Sequence, residues 1–168
     1  KLKSKVISSK FKHIEPEHRN ISLSFQENAL FPHYTVEKNI FFGADRNKSN
    51  GKKQINPKKI IQILNIDKIL NKYPHEISAG EAQRASLTRA LISNPDLLLL
   101  DEPLSNIDEN FKEEIQVKLK KILKDFEITT IVVTHDSEEA FYLGDKCGVI
   151  LDKKLKQFDQ PYNVYHYP

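Results

Sequence analysis

The chain has 168 residues, of which 39% are hydrophobic and 29% charged, and its formal net charge is +3. This composition is typical of one globular domain and excludes the disordered and fibrous classes, while no apolar run approaches the roughly 20 residues that cross a bilayer. The lysines are scattered, without the one-sided basic face and interleaved aromatic residues of a nucleic-acid-binding protein, so no nucleic-acid partner is expected.

The first half of the chain predicts two helices before a strand. Residues 44–57 are polar and rich in turn-forming residues, which indicates an exposed linker. Apolar side chains recur through residues 58–70 and predict a helix, and a second helix is expected over residues 81–93, ended by Pro95. Four consecutive leucines in residues 96–101 predict a strand buried on both faces.

The second half continues the alternation of helices and strands. Residues 109–125 carry an apolar stripe at helical spacing, and the β-branched residues 128–133 predict another buried strand. A short helix over residues 137–143 and a third strand over residues 148–151 follow. Strands that alternate with helices of this length predict an α/β fold with a mostly parallel sheet.

In such sheets, ligands bind at the carboxyl ends of the strands, and the residues that act on them lie there. This rule selects two places, Asp101-Glu102 and Thr134-His135. In nucleotide hydrolysis, the first of two adjacent carboxylates can hold Mg²⁺, usually through water, and the second can orient and deprotonate the attacking water. The alternative interpretation of Asp101-Glu102-Pro103 is a polar strand end that is closed by a proline turn.

The segment Ser78-Ala79-Gly80-Glu81 begins the helix upstream of the leucine strand. It has the pattern of a capping box, in which the Ser78 hydroxyl accepts from a first-turn N–H and Glu81 reaches back to the cap. A serine hydroxyl, a glycine and exposed helix N–H groups also form a phosphate site. The two interpretations are compatible.

Several segments, in the same order along the chain, closely resemble the motifs of ABC ATPases. Residues 73–84, 90–91, 94–95 and 97–103 resemble the block from the signature to Walker B, residues 105–108 the D-loop, residues 134–136 with 138–140 the switch-histidine segment, and residues 25–26 the Q-loop. The resemblance implies a P-loop NTPase-like α/β fold with a helical signature subdomain at about residues 27–94.

The resemblance implies a catalytic role for four side chains, with ATP and Mg²⁺ as cofactors. Gln26 would contact Mg²⁺ or the attacking water and sense the membrane subunit. Asp101 would hold the Mg²⁺ shell, and Glu102 would be the general base. His135 would contact the γ-phosphate and stabilise the transition state.

The resemblance also implies a head-to-tail dimer of ATPase subunits. Ser78 and Gly80 would bind the γ-phosphate of ATP held by the opposite subunit, and Asp108 would help to join the two sites. The chain departs from the family's signature at Ala79, where a glycine is usual, and at Glu81, where a glutamine is usual. Gln83 and Arg84 match the motif, and we expect them to be structural.

A Walker A loop, G-x-x-x-x-G-K-[ST], is missing from the 168 residues. The only Gly-Lys pair is Gly51-Lys52, which has Arg46 where the loop needs its first glycine and no Ser or Thr after the lysine. In the family the loop lies a few tens of residues before the Q-loop. We therefore expect a partial ABC ATPase domain over residues 1–168, without its N-terminal strands and P-loop, which alone binds ATP poorly.

Residues 15–21, 29–40 and 157–168 resemble the importer subgroup for ferric iron, polyamines, sulfate, molybdate and sugars, and we favour ferric iron. The resemblance implies that residues 27–40 face a transmembrane permease, and that a substrate-binding protein takes part indirectly. It also implies a peripheral location on the cytoplasmic face of the cell's inner membrane. A non-catalytic, decayed chain that keeps only the interaction surface is the alternative.

A chromosome-maintenance or DNA-repair ABC ATPase is a further class that the spacing excludes. Such proteins insert a long coiled coil between the Q-loop and the signature. Here only 52 positions separate Gln26 from Ser78, and no heptads lie between them.

Overall fold

The computed structural model of the chain describes residues 2, 6–27, 29–44 and 54–167. Seven strands and six α-helices lie in these ranges. In chain order they are β1 (Ser8–Ser9), β2 (Lys12–His13), β3 (Ile21–Ser24), α1 (Val36–Phe41), α2 (Pro57–Ile63), α3 (Ala79–Ile92), β4 (Leu97–Asp101), α4 (Glu109–Asp125), β5 (Thr129–Val133), α5 (Ser137–Leu143), β6 (Cys147–Leu151), β7 (Lys154–Asp159) and α6 (Pro161–His166).

The central sheet has three parallel strands in the order β3-β4-β5. Ser24 lies opposite Leu100, and Asp101 lies opposite Val133, so the three strands end at nearly the same level. The predicted α/β fold with a parallel sheet is confirmed. Because the strands are parallel, their carboxyl ends share one edge of the sheet.

Two predicted strands are less buried than the sequence indicated. In β4, Leu98 and Leu100 are buried but Leu97 and Leu99 are only partly buried, so burial on both faces was wrong. In β5, the side chains of Ile131 and Val133 are 54% and 59% exposed. The reason is that α4 packs against the sheet face that carries Leu98 and Leu100, whereas in the described ranges the opposite face has no such cover.

The third predicted strand does not extend the parallel sheet. Residues Cys147–Leu151 form β6, which pairs antiparallel with β7, a strand that the sequence analysis missed. The two strands are joined at Asp152 and Lys153, whose φ angles are 51° and 60°. Positive φ at both positions is the geometry of the type I′ hairpin turn, which Asn-Gly or Asp-Gly usually signals. Asp-Lys gives no such signal.

The helices begin and end where capping residues allow. The helix predicted over residues 58–70 ends already at Ile63, because Asn65 takes a left-handed φ of 50°, and only a short 3-10 turn follows at Asp67–Ile69. The helix predicted over residues 81–93 begins two residues earlier, at Ala79, since Ser78 is its N-cap. The bounds predicted for α4 and α5 are confirmed. Most of the predicted linker lies outside the described residues.

Two apolar clusters hold these elements together. The predicted stripe of α4 packs against the sheet, α2 and α3, and the fully buried side chains of this first cluster include Leu64, Leu91, Leu98, Leu100, Leu104, Ile115 and Leu119. The second cluster joins α1, α2 and α3 through Val36, Ile40, Ile61, Ile66, Ile69, Ala85 and Ile92. Helix α3 contributes to both clusters. None of the helices in the described ranges has the length and apolar character needed to span a membrane.

Candidate active site

Three predicted site residues follow the three parallel strands. Gln26 lies two residues beyond β3, Glu102 one residue beyond β4, and His135 two residues beyond β5. The shared edge of the sheet brings them into contact, although 76 positions separate Gln26 from Glu102. The structure therefore assembles one polar cluster from three distant segments.

Glu102 is the centre of this cluster, because its two carboxylate oxygens have different partners. The Nδ1 atom of His135 lies 2.9 Å from Oε1, and the Nε2 atom of Gln26 lies 3.3 Å from Oε2. A carboxylate can only accept, so Nδ1 of His135 carries the proton and donates it. The His135 side chain is 75% exposed and that of Glu102 22% exposed. This contact uses Nδ1 and not the other ring nitrogen, Nε2.

The electrostatics of the cluster favour a charged His135. The hydrogen bond to Glu102 and then the negative charge of that residue raise the pKa of His135, with smaller contributions from Asp136 and Glu139. An imidazolium beside a carboxylate can stabilise additional negative charge on a bound anion.

The segment around His135 is fixed by its neighbours at the start of α5. The Asp136 carboxylate accepts from the backbone N–H groups of Glu138 and Glu139, and it also pairs with Lys112 of α4. The Lys112 hydrogen bond is the largest cause that lowers the pKa of Asp136. Lys112 could not be predicted from the sequence, since a partner 24 positions away leaves no local signal.

Glu139 is a buried carboxyl group behind the same segment. Its side chain is 2% exposed, and its Oε2 accepts from the Thr134 hydroxyl at 3.1 Å. That hydroxyl also accepts from the backbone N–H of Asp136. Burial raises the pKa of Glu139. The backbone on both sides of His135 is thus tied to α5.

The backbone of Glu102 is strained. Its φ angle is 45°, in the left-handed region, which costs about 1–3 kcal/mol for a residue other than glycine. The N–H group of Glu102 donates to Val133 O at 2.8 Å, and its carbonyl accepts from Gln83 Nε2 at 2.7 Å and from the Ser105 hydroxyl at 3.1 Å. These bonds on both sides of the residue hold it in this conformation.

Ser78 and Gly80 lie at the N-terminus of α3. The capping box is confirmed: Glu81 N donates to Ser78 Oγ at 3.2 Å, and Ser78 N donates to Glu81 Oε2 at 2.8 Å. The second bond is the largest cause that lowers the pKa of Glu81. Gly80 packs against the D-loop, because a Cβ atom added there would lie 2.8 Å from the carbonyl oxygen of Asn106. Packing within the chain therefore requires this glycine.

The residues at the sheet edge suit Mg²⁺. Proteins usually hold this ion with one or two carboxylates together with substrate phosphates. Asp101 ends β4 and pairs with Val133, and Gln26 follows the neighbouring strand. A carboxylate and an amide oxygen are thus available at one edge. Asp108 lies farther along, before α4, where its carbonyl accepts from the N–H groups of Phe111 and Lys112.

The chain belongs to the ABC transporter family, whose sequence model matches residues 1–105. The Fe(3+) ions import ATP-binding protein FbpC of Fusobacterium nucleatum subsp. nucleatum is 40% identical over 156 residues, which are 92% of this chain and 42% of that protein. The spermidine/putrescine import ATP-binding protein PotA of Chromobacterium violaceum is 39% identical over 158 residues, which are 92% of this chain and 43% of that protein. This chain spans less than half of the length of these relatives.

A solved structure agrees with the same assignment. The dimeric structure of a post-hydrolysis state of the ATP-binding cassette MJ0796, bound to ADP and Pi, superposes with a TM-score of 0.73 at 25% identity. The superposition covers 85% of this chain and 63% of that chain. The resemblance to ABC ATPases of the importer subgroup is confirmed.

The contact between Glu102 and His135 predicts a change in titration. Glu102→Gln removes the negative charge that raises the pKa of His135, so this pKa should fall toward its ordinary value. It can be measured from the ring proton shifts of His135 by NMR, in the complete translation product that contains this chain. Glu113→Gln on the exposed side of α4 is the matched control and should leave the pKa unchanged. An equal pKa in wild type and Glu102→Gln contradicts the contact.

Proposed function

We propose that the chain is the greater part of an ATP-binding and ATP-hydrolysing domain that energises a membrane importer. The observation that carries this proposal is the position of Glu102 between Gln26 and His135 at the carboxyl edge of the parallel sheet. A general base must lie within hydrogen-bond reach of the attacking water. Glu102 offers a partly exposed carboxylate there, and Gln26 orients it.

His135 contacts the γ-phosphate in this proposal. Its Nδ1 is held by Glu102, so its Nε2 can donate to a phosphate oxygen when the ring is charged. The raised pKa of His135 supports this role, since a charged ring is the form that stabilises the transition-state oxygens. Asp101 and Gln26 would hold Mg²⁺, which when bound neutralises phosphate charge. The phosphate-cradling Walker A loop is not among the 168 residues.

We propose further that two such domains act as a head-to-tail dimer. Ser78 is exposed at the N-terminus of the 14-residue helix α3, where backbone N–H groups and the helix dipole favour an anion. Ser78 and Gly80 would bind the γ-phosphate held by the partner subunit, and Asp108 would help to join the two sites. The related cassette of known structure is dimeric, which supports this arrangement.

The permease would dock on residues 27–40, within a helical subdomain of about residues 27–94, at the cytoplasmic face of the inner membrane. Ala29 and Phe31 of this segment line an open groove of about 490 Å³, together with Arg89 of α3. Buried Asn39 fixes this segment by accepting from Phe31 N at 2.7 Å. A substrate-binding protein would act through the permease.

The proposed base is tested by Glu102→Gln in the complete translation product. ATP turnover should fall roughly 100-fold or more, because proton transfer by a positioned base contributes about 10²–10⁴-fold. ATP binding should persist, since the amide keeps the size of the side chain and removes a charge. Glu113→Gln is the control and should match wild type. If wild-type protein shows no turnover, the non-catalytic alternative replaces this proposal.

The proposed cargo is ferric iron, with polyamine, sulfate, molybdate and sugar as alternatives. A relative named for ferric iron import is 40% identical to this chain, and one named for spermidine/putrescine import is 39% identical. Deleting the gene in its own cell should abolish uptake of radiolabelled ferric iron. Uptake of labelled spermidine is the parallel measurement. Loss of spermidine uptake with normal iron uptake would assign the polyamine instead.

A further inference from the structure

Gln83 is a buried side chain whose amide bonds entirely to residues outside its own helix. It is 2% exposed on α3. Its Nε2 donates to Glu102 O at 2.7 Å and to the Ser105 hydroxyl at 3.3 Å, and its Oε1 accepts from Asn106 N at 2.9 Å. One amide group therefore hydrogen-bonds to three residues of the loop that begins at Glu102.

The backbone of Glu102 is held from two directions. Its N–H group donates to Val133 O of β5. Its carbonyl accepts from Gln83 of α3 and, within the same loop, from the hydroxyl and N–H groups of Ser105. The residue has left-handed φ, a conformation that persists only where surrounding bonds enforce it. The position of this backbone determines where the carboxylate meets Gln26 and His135.

A second contact packs the loop from Glu102 to Asn106 against α3. Gly80 leaves room for the carbonyl oxygen of Asn106, while Gln83 binds the N–H of that residue. Positions three apart lie on one face of a helix. The first turn of α3 and the loop from Glu102 to Asn106 are thus joined at two neighbouring points.

We propose that Gln83 is the positioning residue for Glu102, which fixes the backbone of the base to helix α3. This inference rests on the proposed function. Gln83 contacts neither substrate nor cofactor in it, and acts through the position of Glu102. A small displacement of the base would then slow the chemical step and leave ATP binding almost unchanged.

Gln83→Met tests the proposal in the complete translation product. Methionine is neutral, unbranched and of similar length, and it removes all three hydrogen bonds. We expect kcat to fall roughly 100-fold, as a displacement of about 1 Å can cause, with KM for ATP within about twofold. Gln62→Met on the exposed face of α2 is the matched control and should leave both constants unchanged.

A second variant separates the contact of Gln83 with Glu102 from its contact with Asn106. Gln83→Glu keeps an oxygen that can accept from Asn106 N but loses the donor to Glu102 O, so kcat should fall as in Gln83→Met. Wild-type kcat in Gln83→Glu would assign the effect to Asn106 and overturn the proposal. Loss of the whole fold in both variants, seen by circular dichroism, would also overturn it.

The pKa of His135 gives a readout that needs no ATP. If Gln83→Met displaces Glu102, the histidine loses its partner and its pKa falls toward the ordinary value. A wild-type pKa together with wild-type kcat overturns the proposal. Should wild-type protein show no turnover while Gln83→Met lowers the pKa of His135, the positioning role stands and the hydrolytic function fails.

Discussion

The parallel pairing of β3, β4 and β5 is the constraint on which the site depends. Parallel strands in register end at one edge, so the chain leaves the sheet at three neighbouring points. Gln26, Glu102 and His135 each follow one of these points, and the contact among them results from strand order. The apolar stripe of α4 packs against one face of the sheet and thereby stabilises the arrangement of the strands.

Buried polar side chains connect this scaffold to the loops that surround the site. Asn39 is completely buried and binds the segment around Phe31, Gln83 binds the loop after β4, and Glu139 binds Thr134 before His135. Each side chain comes from a helix, and each hydrogen-bonds to a loop of the chain. A buried polar group without a partner is costly, so these bonds specify the loop conformations.

Sequence patterns predicted helices α2 to α5 and strands β4, β5 and β6. Strands β1 to β3 and β7 and helices α1 and α6 were not predicted. The stripe of α4 and the capping box of α3 were recognised because their signals are local. Burial depth was overestimated at Ile131 and Val133, since residue type does not reveal what covers a strand. The β6-β7 hairpin was missed because its turn residues, Asp152 and Lys153, take an uncommon conformation for their type.

Glu102 and His135 were predictable from their place after strands, and Gln26 was predictable only from the resemblance to ABC ATPases. The contacts among these residues were not predictable. Gln83 was expected to be structural, and no local pattern reveals that its amide meets Glu102, 19 positions away. Lys112 and Asp136 are likewise distant in sequence. Such pairs depend on how helices pack onto the sheet, which involves the whole fold.

The most direct test is a crystal structure of the Glu102→Gln variant of the complete translation product with Mg²⁺ and ATP. We expect the γ-phosphate within hydrogen-bond distance of His135 Nε2, with Gln26 and Asp101 beside the metal ion. Nucleotide bound with its γ-phosphate away from the edge formed by β3, β4 and β5 would contradict this expectation.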